Sequence, residues 1–174
     1  MERFGLSPLI RFTLLSLYLA LVLPLPLMAP ASLRVLMGVG LILGLVLVFG
    51  LLSEQVETDD TGIQVRYPAW IRWLLRRGWS MPWTDIRALV PVGTSQGGTV
   101  YYLKAADVRH QLLPQRIERF DRFLQLLQER SGVSTAGIGR LTPPWTYQLL
   151  AGLSGLMLMA EIATAFWRLS ATMG

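Results

Sequence analysis

Three long apolar runs constrain the fold of this 174-residue chain more than any other feature. They cover residues 12–31, residues 35–52 and the stretch from Trp145 to Trp167. An α-helix needs about 20 apolar residues to cross a bilayer, and each run is near that length. Because 52% of all residues are apolar and the mean hydropathy is +0.45, the sequence indicates an integral membrane protein.

The first two runs predict a transmembrane helical hairpin over residues 1–52. The link between them is short, and three prolines mark the end of the first helix: Pro24, Pro26 and Pro30.

A cleaved signal peptide is an alternative for the first run. Arg3 and Arg11 give it a basic start, and Ala29 and Ala31 flank a proline in a pattern like an A-x-A cleavage site. The second run crosses in the same direction in both cases, so the side of the following domain does not change.

The third run predicts one more transmembrane helix, over residues 144–167. Tryptophans at both ends are typical of helices whose ends lie at the membrane interfaces. Glu161 lies inside this run and leaves open whether the segment spans the bilayer fully or lies at its surface. The remaining predicted segments are a domain at 53–132, a linker at 133–143 and a tail at 168–174.

Composition excludes several classes of functional site. The chain has no cysteine, which rules out thiol catalysis and thiolate metal ligands. His110 is its one histidine and no nucleophile pattern accompanies it, so we predict no catalytic residue, no metal site and no cofactor. The net charge of +5 is modest and no nucleic-acid-binding motif is present, so no nucleic-acid partner is predicted.

The domain is predicted to begin with antiparallel strands. Alternating residues on both sides of Asp59–Gly62 indicate a hairpin. Residues 81–92 indicate a further strand or a pair of strands, and residues 99–113 indicate two strands around Ala106–Asp107. The glycine-rich residues 93–98 are predicted to form a hairpin turn, because a phosphate-binding loop needs a Gly-Lys-Ser/Thr ending and a following helix.

An amphipathic helix is predicted to end the domain, starting at Pro114 and stopping at Gly132. Four apolar residues share one face of it at helical spacing: Ile117, Phe120, Leu124 and Leu127. On the opposite face, Glu118 and Arg122 are spaced for an ion pair.

Four stretches of the domain occur in the order VETDDTGIQVR, MPWTDIRAL, YYL and then LLP followed by the helix. With them the domain resembles the bacterial pleckstrin-homology-like domains that follow transmembrane hairpins, and the W-x-D-I element is the most specific match. The longer series GTSQGGTVYYL, LLPQRIERF and LTPPWTY, with an apolar run after it, resembles uncharacterised cyanobacterial membrane proteins. The implied fold is an α+β membrane protein with a small pleckstrin-like domain between the hairpin and the third helix.

The resemblance implies binding or scaffolding and no known reaction. We therefore expect a non-enzymatic accessory or assembly factor for a membrane protein complex, with photosynthesis and a thylakoid or plasma membrane implied by the cyanobacterial likeness. A lipid-binding or transport-related module is the alternative. Twelve of the sixteen basic residues lie in 53–142, and with Arg3 and Arg11 they predict a cytoplasmic N-terminus and domain.

A segment at residues 68–86 mixes tryptophan with arginine. We predict contact with the membrane surface and its anionic headgroups for Trp70, Arg72, Trp73, Arg76, Arg77 and Trp79. The alternative is a loop that covers one end of the domain core. For Trp83, Asp85 and Ile86, a binding surface competes with a role in which the apolar pair packs in the core and the carboxylate caps a turn.

Small residues at four-residue spacing predict helix packing, within the chain or on a partner: Gly40, Gly44, Ala151 and Gly155. Glu161 is predicted to contact either Arg34 or another subunit, the alternative being a lone carboxylic acid near the headgroups.

Overall fold

The computed structural model describes residues 1–74, 78–95, 97–106 and 109–173. The chain folds as an α+β protein in two compact units, one of Met1–Ser7 with Gly50–Pro143 and one of Pro8–Phe49 with Pro144–Gly174. The helices are α1 (Pro8–Val22), α2 (Pro24–Met28), α3 (Ala31–Leu51), α4 (Phe120–Ser131) and α5 (Pro144–Met173). The strands are β1 (Glu2–Gly5), β2 (Gln55–Thr58), β3 (Gly62–Arg66), β4 (Trp79–Pro82), β5 (Ile86–Gly93), β6 (Thr99–Ala105) and β7 (His110–Leu112).

The first sheet is antiparallel, in the order β1-β2-β3-β4. The β2–β3 hairpin confirms the strand prediction around Asp59–Gly62. The outer strand β1 was not predicted, because it lies before the membrane hairpin and its partner β2 lies after it. In the register, Gly5 is opposite Gln55 and Gln55 is opposite Arg66, so these three residues form one row at one end of the sheet.

The second sheet is antiparallel, in the order β5-β6-β7. A 3₁₀ turn at Trp83–Asp85 connects it to β4, so residues 81–92 contribute a pair of strands. The hairpin between β5 and β6 confirms the predicted turn: the amide of Thr94 donates to the carbonyl of Gly98, and the amide of Gly98 donates to the Thr94 hydroxyl. Ala106 follows β6 as expected, whereas Asp107 lies outside the described residues.

The helix of the domain begins at Phe120, so the predicted start at Pro114 is wrong. Residues 116–118 instead run along the free edge of β1, where Ile117 pairs with Leu6 and the amide of Glu118 donates to the carbonyl of Gly5. Arg119 then takes a left-handed conformation, with φ 48°, immediately before the first helical turn.

The predicted ion pair between Glu118 and Arg122 is also wrong, because Glu118 precedes the helix. The guanidinium of Arg122 binds Glu2 at 2.9 Å, and Glu118 lies 3.8 Å from Arg119. The predicted end is confirmed: Gly132 has φ 73°, and its amide donates to the carbonyl of Gln128.

One apolar core joins both sheets to α4. The predicted apolar face of the helix segment is buried at all four positions, Ile117, Phe120, Leu124 and Leu127. Phe4 of β1 is fully buried among them and meets the ring of Phe123 edge-on at 5.6 Å.

Three helical segments of the second unit are long and apolar enough to cross a membrane: Pro8–Met28, Ala31–Leu51 and Pro144–Trp167. This confirms the prediction of three apolar helices and indicates membrane association. The helix α1 runs antiparallel to α3, since the Tyr18 hydroxyl donates to the carbonyl of Leu41 and Arg11 lies over the ring of Phe49 at 4.4 Å.

The helices α1 and α5 run parallel and are joined by polar groups. The Thr13 hydroxyl lies 3.1 Å from the carbonyl oxygen of Tyr147, and the hydroxyls of Ser16 and Ser154 lie 3.0 Å apart.

Candidate membrane-interface site

The connection between β3 and β4 contains the predicted surface segment. Its described part, residues 68–74, is a series of turns and is called the turn segment below. The amides of Ile71 and Arg72 both donate to the carbonyl of Pro68, and the amide of Leu74 donates to the carbonyl of Ile71. The indole N–H of Trp73 donates to the carbonyl of Trp70 at 2.9 Å. These bonds give the segment a defined shape without forming a regular helix.

This segment packs against the last turn of α3. Gly50 is the buried residue of α3, and a Cβ built there would lie 2.8 Å from Cγ1 of Ile71 and 2.9 Å from the Trp70 ring. Glycine at this position therefore leaves room for the side chains of Ile71 and Trp70. Ile71 is buried by the contact, whereas Trp70 and Trp73 are 46% and 81% exposed.

The six predicted surface residues do not form one group. Trp70, Arg72 and Trp73 are exposed together on the turn segment. Trp79 is half-buried in β4 and packs against the core. Arg76 and Arg77 lie outside the described residues.

A pocket of about 750 Å³ opens between the turn segment and strands β3 and β4. Its described lining combines cationic, aromatic and hydroxyl side chains, among them Arg66, Arg72, Tyr67, Trp73, Trp79 and Ser80. None of its described lining residues is acidic. The backbone approaches closely at its rim, because a Cβ at Gly78 would collide with the carbonyl oxygen of Val65.

The two arginines of the pocket differ in their partners. Arg66 lies 3.5 Å from Glu57, but the same carboxylate is closer to Arg3, at 3.1 Å. Glu57 is only 10% exposed and is shared by two guanidinium groups, so this trio has an excess of one positive charge. Arg72 forms no ion pair with any described residue.

Charge is distributed unevenly along the first sheet. The row of Gly5, Gln55 and Arg66 is its span-joined end, because Gly5 lies three residues before α1 and Gln55 lies four residues after α3. The pocket lies at this end. The carboxylates of Glu2, Asp59 and Asp60 lie at the opposite end, where Arg122 binds Glu2 and Arg130 binds Asp60 at 2.9 Å each.

The W-x-D-I element lies mainly in the core. Trp83 and Ile86 are buried, as the core-packing alternative predicts, and the indole N–H of Trp83 donates to the carbonyl of Asp59 at 2.8 Å. Asp85 pairs with Arg109 at 3.4 Å. His110 is exposed on β7. Among the described residues, no group of three His, Cys, Asp or Glu side chains could hold a metal ion.

The predicted helix-packing residues have different surroundings. A Cβ at Gly44 would collide with the Tyr18 hydroxyl, so this glycine leaves room for the Tyr18 ring, whose hydroxyl donates to the carbonyl of Leu41. Cβ atoms built at Gly40 and Gly155 would meet nothing within 4 Å. Ala151 lies near the polar contact between α1 and α5, since its carbonyl accepts a hydrogen bond from Ser154.

Glu161 has an unusual position for a carboxylic acid. Its Oε2 atom is buried and has no hydrogen-bond partner among the described residues. Arg34 is exposed, and within the described part of the chain it forms no ion pair with Glu161. The contact with Arg34 considered from the sequence is therefore not made.

Two contributions to the site were missed in the sequence. Gly50 lies at the end of an apolar run, and no sequence pattern indicates that a segment 20 residues later packs against it. Arg66 ends β3, and the alternation that predicts this strand also places the arginine beside the following connection.

Together, the three apolar helices and the two-sheet unit define a membrane-associated α+β protein. The chain is 43% identical over 166 residues to the uncharacterized protein slr0269 of Synechocystis sp., an alignment that covers 92% of this chain and 83% of that relative. The chain belongs to the family of this cyanobacterial protein, as its sequence motifs predicted. No family model and no solved structure matches it.

Proposed function

We propose that the protein is a membrane-anchored, non-enzymatic accessory or assembly factor whose domain acts at the membrane surface. The observation that carries this proposal is the packing of Trp70 and Ile71 on Gly50, at the last turn of an apolar helix. Exposed tryptophans at the end of a membrane span are favoured at the level of the lipid headgroups. Only Leu6 and Ser7 separate β1 from α1, so the domain is tethered to the first apolar helix by a short connection.

For the domain we propose a pleckstrin-like fold. Its support is the order of two antiparallel sheets followed by the packed helix α4, together with the W-x-D-I residues in the core. The first strand precedes the membrane hairpin, so the two transmembrane helices occupy the connection between β1 and β2.

The proposed partner is a membrane protein complex. Two features support it: α3 has one buried residue, Gly50, and Glu161 has a buried oxygen without a described partner. Polar groups within spans usually face protein or water. The cyanobacterial relative supports a plasma or thylakoid membrane as the location, with a photosynthetic complex as one candidate partner. We place the N-terminus and the domain in the cytoplasm.

Purification of the tagged full-length protein from cyanobacterial membranes in mild detergent tests this function. Subunits of one complex should co-purify in fixed ratio, and Trp70→Ala/Trp73→Ala should reduce their recovery. Leu112→Ala, an exposed apolar change on β7, is the matched control. Recovery of the chain alone in several mild detergents would contradict the proposal.

The second candidate function, a lipid-binding or transport-related module, is favoured by the charge pattern of the first sheet. Arg66 and Arg72 lie at the span-joined end, where Glu54 accepts a hydrogen bond from Tyr67, whereas Glu2 and Asp60 at the opposite end are each paired with an arginine. Basic groups near a membrane surface are attracted to anionic lipids.

A further inference from the structure

We propose that the pocket between β3, β4 and the turn segment binds the phosphate group of an anionic membrane phospholipid. This inference rests on the proposed position of the domain at the membrane surface and assigns a ligand to one site of it. The pocket, of about 750 Å³, is large enough for a phosphoglycerol headgroup.

The charges of the pocket favour an anion. Arg66 shares the carboxylate of Glu57 with Arg3, and Glu57 is nearer to Arg3. Arg72 has no carboxylate partner among the described residues. The described lining contains no acid, and the nearby Glu54 carboxylate accepts a hydrogen bond from the hydroxyl of the lining residue Tyr67. Guanidinium groups bind phosphate oxygens through two parallel N–H bonds, so two of them in one pocket are suited to a phosphate diester.

The position of the pocket favours a lipid over a soluble phosphate. It lies at the span-joined end of the first sheet, and its wall includes the segment that packs on Gly50. With the domain at the membrane surface as proposed, a headgroup in the adjacent leaflet would reach the pocket while its acyl chains stay in the bilayer. The ring of Trp73, 81% exposed at the rim, provides an apolar surface for the glycerol and the start of the acyl chains.

Titration of the detergent-solubilised full chain with phosphatidylglycerol, followed by native mass spectrometry, tests the assignment. We expect one saturable phosphatidylglycerol and weaker binding of phosphatidylcholine. Arg66→Gln/Arg72→Gln should weaken phosphatidylglycerol binding by about five-fold for each arginine. Arg87→Gln/Arg130→Gln makes the same change of net charge at other exposed positions and should stay within about two-fold of the wild type.

Equal weakening of phosphatidylglycerol binding in both double variants would show a general electrostatic attraction. It would overturn the assignment of the pocket as the binding site. If Arg66→Gln/Arg72→Gln unfolds, Arg66→Lys/Arg72→Lys decides, because it keeps the charge but loses the paired N–H geometry. A phosphatidylglycerol-to-phosphatidylcholine affinity ratio that is lower in the lysine variant than in both the wild type and the surface control supports the site. An unchanged ratio overturns it.

Competition with soluble glycerol 1-phosphate distinguishes the source of the phosphate. If the pocket takes a lipid, millimolar glycerol 1-phosphate should not displace phosphatidylglycerol. Full displacement would assign a soluble phosphate ester and contradict the lipid. The two proposals can fail separately. If Arg66→Gln/Arg72→Gln loses lipid binding but still co-purifies with the complex, the lipid site is supported independently of the accessory function.

Discussion

The hydroxyl oxygens of Ser16 on α1 and Ser154 on α5 lie 3.0 Å apart, and both side chains are buried. Together with the contact of Thr13 with the carbonyl of Tyr147, this bond forms a polar contact line between two parallel apolar helices. Small hydroxyl residues allow helix backbones to approach closely in a membrane, where apolar side chains gain little from meeting each other.

The first prediction concerns this contact line. Ser154→Ala should lower the stability of the full chain by about 0.6 kcal/mol, the average for one hydrogen bond between membrane helices. Ser154→Leu should cost more, about 1–3 kcal/mol, because it overpacks the contact. Thermal unfolding in detergent measures both changes. Ser170→Leu, at an exposed position on the same helix, is the control, and an equal loss there would refute a specific role of Ser154.

In the unit of apolar helices, the sequence predicts the number of helices but not their contacts. Run length and hydropathy predict three helices, because crossing a bilayer requires a fixed number of apolar residues. They do not predict which helix meets which, since Ser16 and Ser154 are compatible with any face of an apolar helix. The same limit applies to the site: tryptophan and arginine content predicts an interfacial segment, but the contact with Gly50 depends on tertiary packing.

The second prediction concerns the N-terminal strand. Residues 2–5 carry a weak strand signal, and the sheet partner is reached only after the whole membrane hairpin. Phe4 is nevertheless fully buried between the sheet and Phe123. Phe4→Ala should therefore destabilise the domain by about 3–5 kcal/mol.

Hydrogen exchange of β2 and α4 amides in the detergent-solubilised chain measures the loss. Phe12→Ala removes the same side chain at an exposed position of α1 and should leave exchange in the domain unchanged. If the β2 and α4 amides exchange equally in the two variants, the Phe4 side chain does not stabilise the domain core.

The third prediction is a pH dependence at the β2–β3 turn. The Asp59 carboxylate accepts hydrogen bonds from the Thr61 hydroxyl at 2.6 Å and from the amides of Thr61 and Gly62. These bonds, the Thr61 hydroxyl first, hold the pKa of Asp59 below its ordinary value of 3.8. The ionised form is thus favoured in the folded state.

A lowered folded-state pKa gives stability that is complete above the ordinary, unfolded-state pKa of 3.8 and is lost as the pH falls through the folded value. The difference in unfolding between wild type and Asp59→Asn should therefore change only in this acid range. Thr61→Val removes the largest cause and should raise the pKa of Asp59, measured by carboxyl carbon NMR. A pKa unchanged in Thr61→Val would contradict the hydrogen-bond origin.

The fourth prediction is the orientation in the membrane. Because α1 and α5 run parallel, and α3 antiparallel to both, the N-terminus and the domain should lie on one side and Gly174 on the other. With Arg3 and Arg11 on the cytoplasmic side, a reporter active only outside the cytoplasm should be silent when inserted at Ser95, in the β5–β6 turn. The same reporter fused after Gly174 should be active. Activity at Ser95 would reverse the orientation, and silence at both positions would make α5 an interfacial helix.

The fifth prediction concerns Glu161, whose buried Oε2 lacks a described partner and whose carboxylate does not pair with Arg34. A carboxylic acid within a span is costly unless it meets protein or water. We therefore expect Glu161 to contact another subunit. Arg34→Ala should accumulate normally, and Glu161→Leu should accumulate normally but lose the co-purifying complex.

Glu161→Gln should retain part of the complex, because an amide keeps the shape and the hydrogen-bonding capacity of a protonated carboxylic acid. Met159→Leu, at an exposed apolar position two residues before Glu161, is the control for general changes on this helix. Protein level by immunoblot and partner recovery by quantitative mass spectrometry separate the outcomes. Poor accumulation of Glu161→Leu beside normal Arg34→Ala would indicate a partner within this chain, because an internal contact supports folding whereas a subunit contact supports assembly. Normal accumulation and full partner recovery in Glu161→Leu would show that the carboxylate serves neither role.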